Sequence, residues 1–375
     1  AAAVMAASGV AFAASNVTLY GVIEEGVMVQ KAKDTAASVE LKAGFDSGNR
    51  WGIKGVEDLG NGYSVGFILE QGFFADDGSS YTERDVEDAN EKKNVIEPIE
   101  VFKRAHRMLM ASQKGNQYKH YSFRVARHYS TFYSQSRNIR TGWVFGTGYG
   151  SAAWNAIDSV AKRMNNVISY ATPVFDGFSI HAMYSNSGTN ALGSDTAKWS
   201  KNGHYYGLGV KYAQGPVVSS LIFEAAQNKD ALKWDAAEEE AVAGNTKVKY
   251  GINYGLEWNL GSITPMFAYQ YIWQDGGSKD HQFGLSAKAP VAGGTVKVGA
   301  RYTFGKNDGA AANQEDKQNA WLIGAAYEYP LSKRTIIKSY AGYADGGKAW
   351  DDFSQVCERS SQWCELRYSQ VQTAH

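Results

Sequence analysis

The chain has 375 residues, enough for two or three soluble domains or for one large all-β unit, and its 40 glycines, 6 prolines and 13% aromatic residues favour the all-β unit. No stretch approaches roughly 18 consecutive uncharged apolar residues, which excludes a bundle of membrane-spanning helices, and aromatic residues along the whole length exclude a disordered chain. The 38 Lys and Arg residues balance the 38 Asp and Glu residues, so bulk charge argues against general nucleic-acid binding.

The first segment, residues 1–14, is small, apolar and uncharged, and polar residues follow it at once. This composition is typical of the apolar core and cleavage end of a secretory signal peptide, here a truncated one that lacks its charged front end. Ala11-Phe12-Ala13 fits the small-x-small cleavage rule. A first strand, or an Ala-rich tail unrelated to export, is the alternative. The segment therefore predicts an exported protein.

After this segment, apolar residues alternate with small or polar ones in repeated runs, which is the period of a β-strand. In the run 249–259, Tyr250 and Ile252 belong to one face, and Gly251 and Asn253 belong to the other. Similar runs occupy 16–30, 50–54, 64–70, 166–172, 176–186, 204–212, 217–227, 263–274, 281–290, 294–305, 319–328 and 334–344. The sequence therefore predicts an all-β fold.

The connections between these runs alternate in length. Short ones lie at 57–62, 213–216, 259–262 and 290–294, and long polar ones lie at 31–45, 74–98, 187–203, 228–248 and 306–318. Tight turns at one end and long loops at the other describe an up-and-down antiparallel meander. A transmembrane β-barrel has this arrangement, with an apolar outside and a polar inside. The minor face is mostly glycine and polar residues, which suits a wet interior better than the core of a β-sandwich.

Several segments resemble the general porins of Gram-negative bacteria, of the Neisseria and Burkholderia type. SNVTLYGV at 15–22 is similar to their opening strand, and SGNRWGIKGVEDLGNG at 47–62 is similar to their second strand and first periplasmic turn. RMNNVISY at 163–170 and FDGFSI at 175–180 resemble the strands that follow their constriction loop, and LSKRT at 331–335 resembles their last short turn. The matches are scattered over most of the chain.

The resemblance implies a 16-stranded, trimeric outer-membrane β-barrel in which loop 3 folds inward and narrows a water-filled pore. Such a protein passes ions and small hydrophilic solutes by diffusion and performs no reaction. Counting back from 334–344 as strand 15 makes 166–172 strand 6 and places loop 3 at 141–162. Counting forward leaves about 99–138 for strands 4 and 5, so the two counts agree.

Two stretches depart from the family pattern. No acidic residue occurs between Glu100 and Asp158, and within 103–140 the alternation fails while Lys, Arg and His accumulate. A locally shifted reading frame would explain this, and so would a genuine basic insertion. Residues 351–375 contain two cysteines, alternate weakly and end in histidine, whereas family members end in an aromatic closing strand. The closing strand of this chain is therefore atypical.

Strand parity predicts which charged side chains line the pore. If the apolar parity faces lipid, Glu24, Arg50, Lys54 and Glu70 point inward, and Arg163 follows by the same argument. Arg50 and Lys54 have the same parity within one strand, so they form a short basic ladder. A basic side chain on the lipid face would cost roughly 2–4 kcal/mol at the middle of the bilayer, which supports the inward assignment.

The same residues give a candidate constriction. In the family, a basic wall opposes carboxylates on loop 3, and loop 3 of this chain offers only Asp158. We therefore predict that Arg50, Lys54 and Arg163 face Asp158 across the pore. This arrangement predicts a weak preference for anions. The alternative for each residue is a lumen charge away from the constriction, or a salt bridge within the wall.

Two other functions remain as alternatives. A ligand-specific or adhesive outer-membrane barrel would use the long connections 74–98 and 228–248, and saturable conductance would distinguish it. An outer-membrane hydrolase is less favoured, because Ser179 and His181 share a face but no third residue completes a catalytic set. The sequence therefore predicts no catalytic residue. Cys357 and Cys364 lack metal-ligand spacing, so no metal site or cofactor is predicted either.

The predicted organisation has three segments: a truncated signal peptide at 1–14, a barrel at 15–350 and the atypical end at 351–375. The expected partners are two further copies in a homotrimer, the lipid and lipopolysaccharide of the outer membrane, and small hydrophilic solutes and ions. Nucleic acid is not expected as a partner of an exported barrel.

Overall fold

A computed structural model describes residues 16–31, 36–43, 49–60, 63–75, 78, 106–115, 119–129, 160, 163–187, 203–227, 232–235, 240–243, 245–309 and 316–346. Within these ranges every regular element is a β-strand. The described residues include no helix with the length and apolar character needed to span a membrane. The predicted segments 1–14 and 351–375 lie outside these ranges, as does the predicted loop 3 apart from Val160.

The strands of the described residues are β1 Asn16–Val22, β2 Glu25–Gln30, β3 Ser38–Ala43, β4 Arg50–Gly60, β5 Tyr63–Gly72, β6 His106–Gly115, β7 Lys119–Tyr129, β8 Arg163–Ala171, β9 Phe178–Ser187, β10 Gly203–Gln214, β11 Val217–Gln227, β12 Leu232–Asp235, β13 Glu240–Ala243, β14 Lys249–Trp258, β15 Thr264–Gln274, β16 Ser278–Val291, β17 Gly294–Asn307, β18 Lys317–Pro330 and β19 Ile336–Gly346.

Most of these strands belong to one 15-stranded antiparallel sheet with the order β1-β4-β5-β6-β7-β8-β9-β10-β11-β14-β15-β16-β17-β18-β19. The order is that of an up-and-down meander, as the alternating connections predict. Tight turns join several neighbours. Ala292 and Gly293, for example, both have positive φ, at 47° and 79°, which matches the twist of a two-residue hairpin. The all-β, antiparallel part of the predicted fold is confirmed.

The long connections differ from the prediction at two places. The run predicted at 16–30 is interrupted between β1 and β2, where the backbone N–H of Glu24 donates to Asn49 Oδ1 at 2.5 Å. β2 then pairs with β3, which lies inside the connection predicted at 31–45. A second small hairpin, β12–β13, lies inside the connection predicted at 228–248. These two connections therefore carry hairpins of their own, outside the large sheet.

The basic stretch at 103–140 contributes β6 and β7 to the large sheet, as the strand count requires. The register of these strands shifts at two places. One shift lies between Leu109 and Ala111 on β6, and another lies between Ala126 and His128 on β7. A bulge of this kind adds a residue to one strand and reverses the parity of the residues that follow. Both shifts lie within the stretch in which the sequence loses its alternation.

The two faces of the large sheet differ in the way the parity predicts. On β11, Leu221 and Phe223 expose 53% and 42% of their surface, whereas Ile222 and Glu224 are buried. The exposed face carries large apolar and aromatic side chains on strand after strand, while the buried face holds most of the buried polar residues. A soluble protein places such apolar side chains in its core. Exposure of an apolar face opposite a polar one is typical of a membrane β-barrel.

The edges of the large sheet, β1 and β19, are connected by an ion pair. Lys338 Nζ of β19 donates to Glu24 Oε1, just after β1, at 3.0 Å. Residues 314 positions apart in the chain are thus in direct contact. Each partner is largely buried, with side-chain exposures of 19% and 14%. The contact draws the first and last described strands of the sheet together.

Candidate functional site

The first part of the site is a charged cluster on the buried-parity face of β1, β4 and β5. Tyr20, Gly52 and Glu70 lie opposite one another in register, so their side-chain directions agree. Arg50 Nε lies 3.1 Å from Glu70 Oε2, and Tyr20 Oη donates to the same oxygen at 2.8 Å. Arg50 and Tyr20 therefore both contact the carboxylate of Glu70 on this face.

Lys54 extends the cluster along β4. Its Nζ lies 5.5 Å from the centre of the Tyr20 ring, a distance at which an ammonium group is attracted to the ring face. Among the described residues, the ion pairs of the cluster include Arg50 and not Lys54. The two members of the predicted basic ladder thus differ, because Glu70 compensates the charge of Arg50 and an aromatic ring supports that of Lys54.

Glu24 occupies a separate position beside Asn49. Asn49 is fully buried, accepts from the Glu24 backbone N–H through Oδ1, and donates through Nδ2 to Glu25 Oε1 at 2.8 Å. The Glu24 side chain pairs with Lys338. For Glu24, this ion pair supports the alternative given in the sequence analysis, a salt bridge within the wall.

Reversing either charge of the Glu24–Lys338 pair is expected to lower the stability of the folded chain by about 1–2 kcal/mol, because the partly buried partner then faces a like charge. The double variant Glu24→Lys with Lys338→Glu should recover part of the loss. The midpoint of heat-induced conversion of the folded band in cold SDS gels measures this. Lys333→Glu, in an exposed turn, is the control. Additive losses in the double variant would contradict a direct pair.

The second part of the site is a hydrogen-bonded chain on the buried face of β10, β11, β14 and β15. Tyr205 Oη donates to Glu224 Oε1 at 2.6 Å, and Asn253 Nδ2 donates to Glu224 Oε2 at 3.1 Å. Gln270 Nε2 in turn donates to Asn253 Oδ1. All four residues are buried. Because each bond crosses between neighbouring strands, the chain fixes four strands at one level of the sheet.

Val160 lies against this level. It is buried, and a Cβ placed on Gly251 would lie 2.6 Å from Val160 Cγ2. Gly251 is the register partner of Glu224 on one side and of Ile272 on the other. A residue from the end of the predicted loop 3 thus packs on β14, although β8, the next strand after it, lies four positions away in the sheet.

The structure describes less of the remaining residues that the sequence singled out. Asp158 lies outside the described residues, and of Arg163 only the backbone, at the start of β8, is described. Ser179 Oγ lies 2.9 Å from His181 Nε2, so these two residues share a face as predicted. In the described part of the chain, no group of His, Cys, Asp and Glu residues is arranged to hold a metal ion.

The sequence matches the family model described as "Gram-negative porin" over residues 1–348. The chain belongs to this porin family. The resemblance noted in the sequence is confirmed. Outer membrane porin protein 32 of Delftia acidovorans is 29% identical to this porin over 343 residues, which cover 89% of this chain and 85% of the relative.

Solved structures give the same result. An anion-selective porin from Comamonas acidovorans is 26% identical, with a TM-score of 0.60 over 89% of this chain and 90% of that one. A trimer form of OmpT from Vibrio cholerae is 14% identical, with a TM-score of 0.58 over 90% and 92% of the two chains, and this likeness concerns the fold. The porin is an outer-membrane channel for passive diffusion and is not an enzyme.

Sequence reasoning missed the buried chain of this porin. Parity places Tyr205 and Asn253 on the minor face, and Glu224 shares its face with Ser220 and Ile222. The alternation in the sequence therefore predicts the face of the sheet on which each of these side chains lies. It does not predict which positions of neighbouring strands lie opposite one another, because the alternation does not fix the register between strands.

Proposed function

We propose that this porin forms a water-filled pore within a closed barrel of 16 strands, one more than the 15 strands of the described sheet. The sequential pairing of the 15 strands supports this proposal. So does the Glu24–Lys338 ion pair, because it joins a side chain of β19 to one that directly follows β1, with Nζ and Oε1 3.0 Å apart. Closure is also required physically, since exposed strand edges are not tolerated in bilayer hydrocarbon.

Loop 3, residues 141–162, would fold into this pore. The buried Val160, whose Cγ2 would lie 2.6 Å from a Cβ on Gly251 of β14, supports the inward path. The hydrogen-bonded chain through Glu224 and Asn253 lies at the same level and would hold the wall rigid there. The constriction would therefore be formed by loop 3 against a braced section of the wall.

Polar atoms on the buried face support a hydrated interior. Among the described residues, Gln270 Oε1, Gln282 Oε1 and Ser220 Oγ are buried without a hydrogen-bond partner in the protein. Buried acceptors of this kind are normally satisfied by water. They lie on β11, β15 and β16, in the same part of the sheet as the Glu224 chain, so water would reach the level of the proposed constriction.

The charges predict a weak anion preference. Arg50, Lys54 and Arg163 would face Asp158, with Glu24 and Glu70 as further lumen charges. Glu70 compensates Arg50, so Lys54 would be the dominant positive charge on this wall. The similar porin from Comamonas acidovorans is anion-selective, which supports this sign. We further propose a homotrimer, as in the Vibrio cholerae trimer form, that passes small hydrophilic solutes.

Reconstitution of the refolded chain in a planar bilayer tests the proposal. Stepwise openings in groups of three, with conductance linear in KCl concentration, are the expected result for a trimeric diffusion pore. Saturation by a solute would instead indicate a ligand-specific barrel. No conductance from a chain that keeps its heat-modifiable folded band would contradict an open pore.

Lys54→Glu is expected to shift the anion-to-cation permeability ratio by about twofold toward cations, because it reverses the least compensated charge of the wall. The reversal potential under a KCl gradient measures this shift. Arg50→Gln should shift the ratio in the same direction, since it leaves Glu70 without its guanidinium partner. Lys333→Glu, outside the strands, serves as the matched charge reversal. An equal shift of the permeability ratio from Lys333→Glu would contradict the proposal that Lys54 lies at the constriction.

A further inference from the structure

Four charged residues lie together on the buried-parity face of β14 to β18, near the end at which short turns join these strands. Lys288 on β16 and Lys297 on β17 are register partners. Lys288 Nζ donates to Glu257 Oε1 of β14 at 3.0 Å, and Lys297 Nζ donates to Glu328 Oε1 of β18 at 2.6 Å. We call Glu257, Lys288, Lys297 and Glu328 the charge quartet. Two lysines thus lie on neighbouring strands, with one carboxylate on each flank.

The charge quartet has the parity of the proposed pore lining. On β16, Lys288 shares its side of the strand with the buried Gln282, whereas Leu285 on the other side exposes 64% of its surface. On β17, Lys297 is buried, whereas its neighbour Val298 exposes 47%. Short turns lie at the periplasmic end of outer-membrane barrels. The quartet therefore faces the periplasmic part of the proposed lumen.

The ion pairs of the quartet leave part of each side chain accessible. The exposed fractions of the side chains are 38% for Lys288, 19% for Glu257, 18% for Glu328 and 11% for Lys297. An ammonium group has three N–H donors, and an ionised carboxylate accepts at about four sites. Each member of the quartet therefore has hydrogen-bonding capacity beyond its ion pair.

A band without large side chains adjoins the quartet on the same face. The register partners of this band across β16 to β19 are Ser286, Gly299, Gly324 and Gly342. Ser286 and Gly299 each lie two residues from a lysine of the quartet. Because glycine has no side chain, a small molecule can approach the backbone closely here. The band therefore leaves space beside the two lysines.

The charges around the quartet are also balanced. Lys338 is the register partner of Glu328 and forms its own ion pair with Glu24. Arg301 lies on the far side of the glycine band and has interactions of its own. The two lysines and two glutamates of the quartet cancel in net charge. The quartet therefore presents both signs of charge to the lumen without an excess of either.

This arrangement is the electrostatic complement of a small zwitterion. The carboxylate of such a solute would lie between Lys288 and Lys297, and its ammonium group would lie against Glu328 or Glu257. Opposite charges then face each other at both ends of the solute. A solute with one charge would be attracted at one end and would meet a like charge close by. The quartet therefore favours dipolar solutes over ions of either sign.

We propose that the charge quartet is a weak binding station for small zwitterions of the α-amino acid class on their way through the pore. The inference rests on the proposed pore and adds a solute class to it. Binding at the station is weak because partly exposed ion pairs contribute little, and weak binding allows the solute to leave. The candidate constriction at Lys54 acts on the sign of an ion, whereas the quartet acts on its dipole.

The test compares glycine with its uncharged isomer glycolamide in swelling of liposomes that contain the refolded full-length chain. The two solutes have equal mass, so the ratio of their influx rates cancels the number and the width of the pores. The unmodified chain should admit glycine about two- to threefold faster, a factor typical of one partly exposed ion pair. The quadruple variant Glu257→Gln, Lys288→Met, Lys297→Met and Glu328→Gln should lower the ratio to about one. It keeps the net charge of the chain.

Two further variants serve as controls. Lys279→Met with Asp308→Asn removes an ion pair of 2.6 Å at the other end of the sheet and should leave the influx ratio unchanged. Lys288→Met with Glu257→Gln removes the more exposed pair of the quartet and should lower the ratio partway. This pair variant tests the station even if the quadruple variant does not fold.

The outcomes distinguish the station from the pore. Influx of neither solute through the unmodified chain would contradict the pore itself, and with it the station. Equal influx of glycine and glycolamide would overturn the station and leave the pore intact. The station would also be overturned if the quadruple variant slowed the anion glycolate as much as glycine, because the quartet would then act as an ordinary anion site.

Discussion

Replacing Glu224 by alanine is expected to destabilise the folded porin by about 3 kcal/mol. Glu224 is fully buried and accepts hydrogen bonds from Tyr205 Oη and Asn253 Nδ2. Removing the carboxylate leaves two buried donors without this acceptor, and each such group costs about 1–3 kcal/mol when nothing replaces the bond. Water that enters the vacated space would recover part of this loss. The net effect remains large because the bonds connect three strands at one level.

The midpoint of heat-induced unfolding in SDS gels measures this loss. Glu224→Gln should lose less, since it keeps one oxygen acceptor in the same position. Glu257→Ala is the matched control, because Glu257 pairs with the partly exposed Lys288 at 3.0 Å and such pairs contribute about 1 kcal/mol or less. If the Glu224→Ala and Glu257→Ala variants unfolded at the same temperature, the hydrogen-bonded chain through Glu224 would contribute no more to stability than the Glu257–Lys288 pair does.

Strand positions were the part of the fold that the sequence predicted best. The run predicted at 217–227 is β11, residue for residue, and the runs at 249–259 and 263–274 differ from β14 and β15 by single residues. Period two is a strong signal where one face is uniformly apolar, because each strand repeats the requirement that the membrane imposes. The signal fails on β6 and β7, where bulges shift the register inside the strand.

For the candidate site, the sequence predicted only the face of the sheet on which each side chain lies. Parity correctly puts Arg50 and Glu70 on one face, and their ion pair at 3.1 Å follows from the register of β4 with β5. Likewise, Glu224 and Asn253 are 29 residues apart, with the hairpin β12–β13 between them. Register sets the level of each side chain along the wall, and the turn geometry that fixes register cannot be read from alternation.

Replacing Gly251 by valine is expected to reduce single-channel conductance by on the order of a quarter or more, because the constriction limits ion flow through the whole pore. Even the Cβ alone would lie 2.6 Å from Val160 Cγ2, closer than two such carbon atoms approach. The backbone of β14 cannot yield easily, since it pairs on one side with β11 and on the other with β15. Val160 must therefore move away from the wall.

In the proposed pore, that movement carries the end of loop 3 toward the centre of the lumen, which narrows the path for ions without adding a charge. Conductance should fall while the reversal potential under a KCl gradient stays unchanged. Adding Val160→Gly to Gly251→Val removes the clash and should restore conductance, which distinguishes a local steric effect from general damage to β14. A Gly251→Val chain that keeps its folded band and its full conductance would show that the contact between Val160 and the wall does not set the width of the pore.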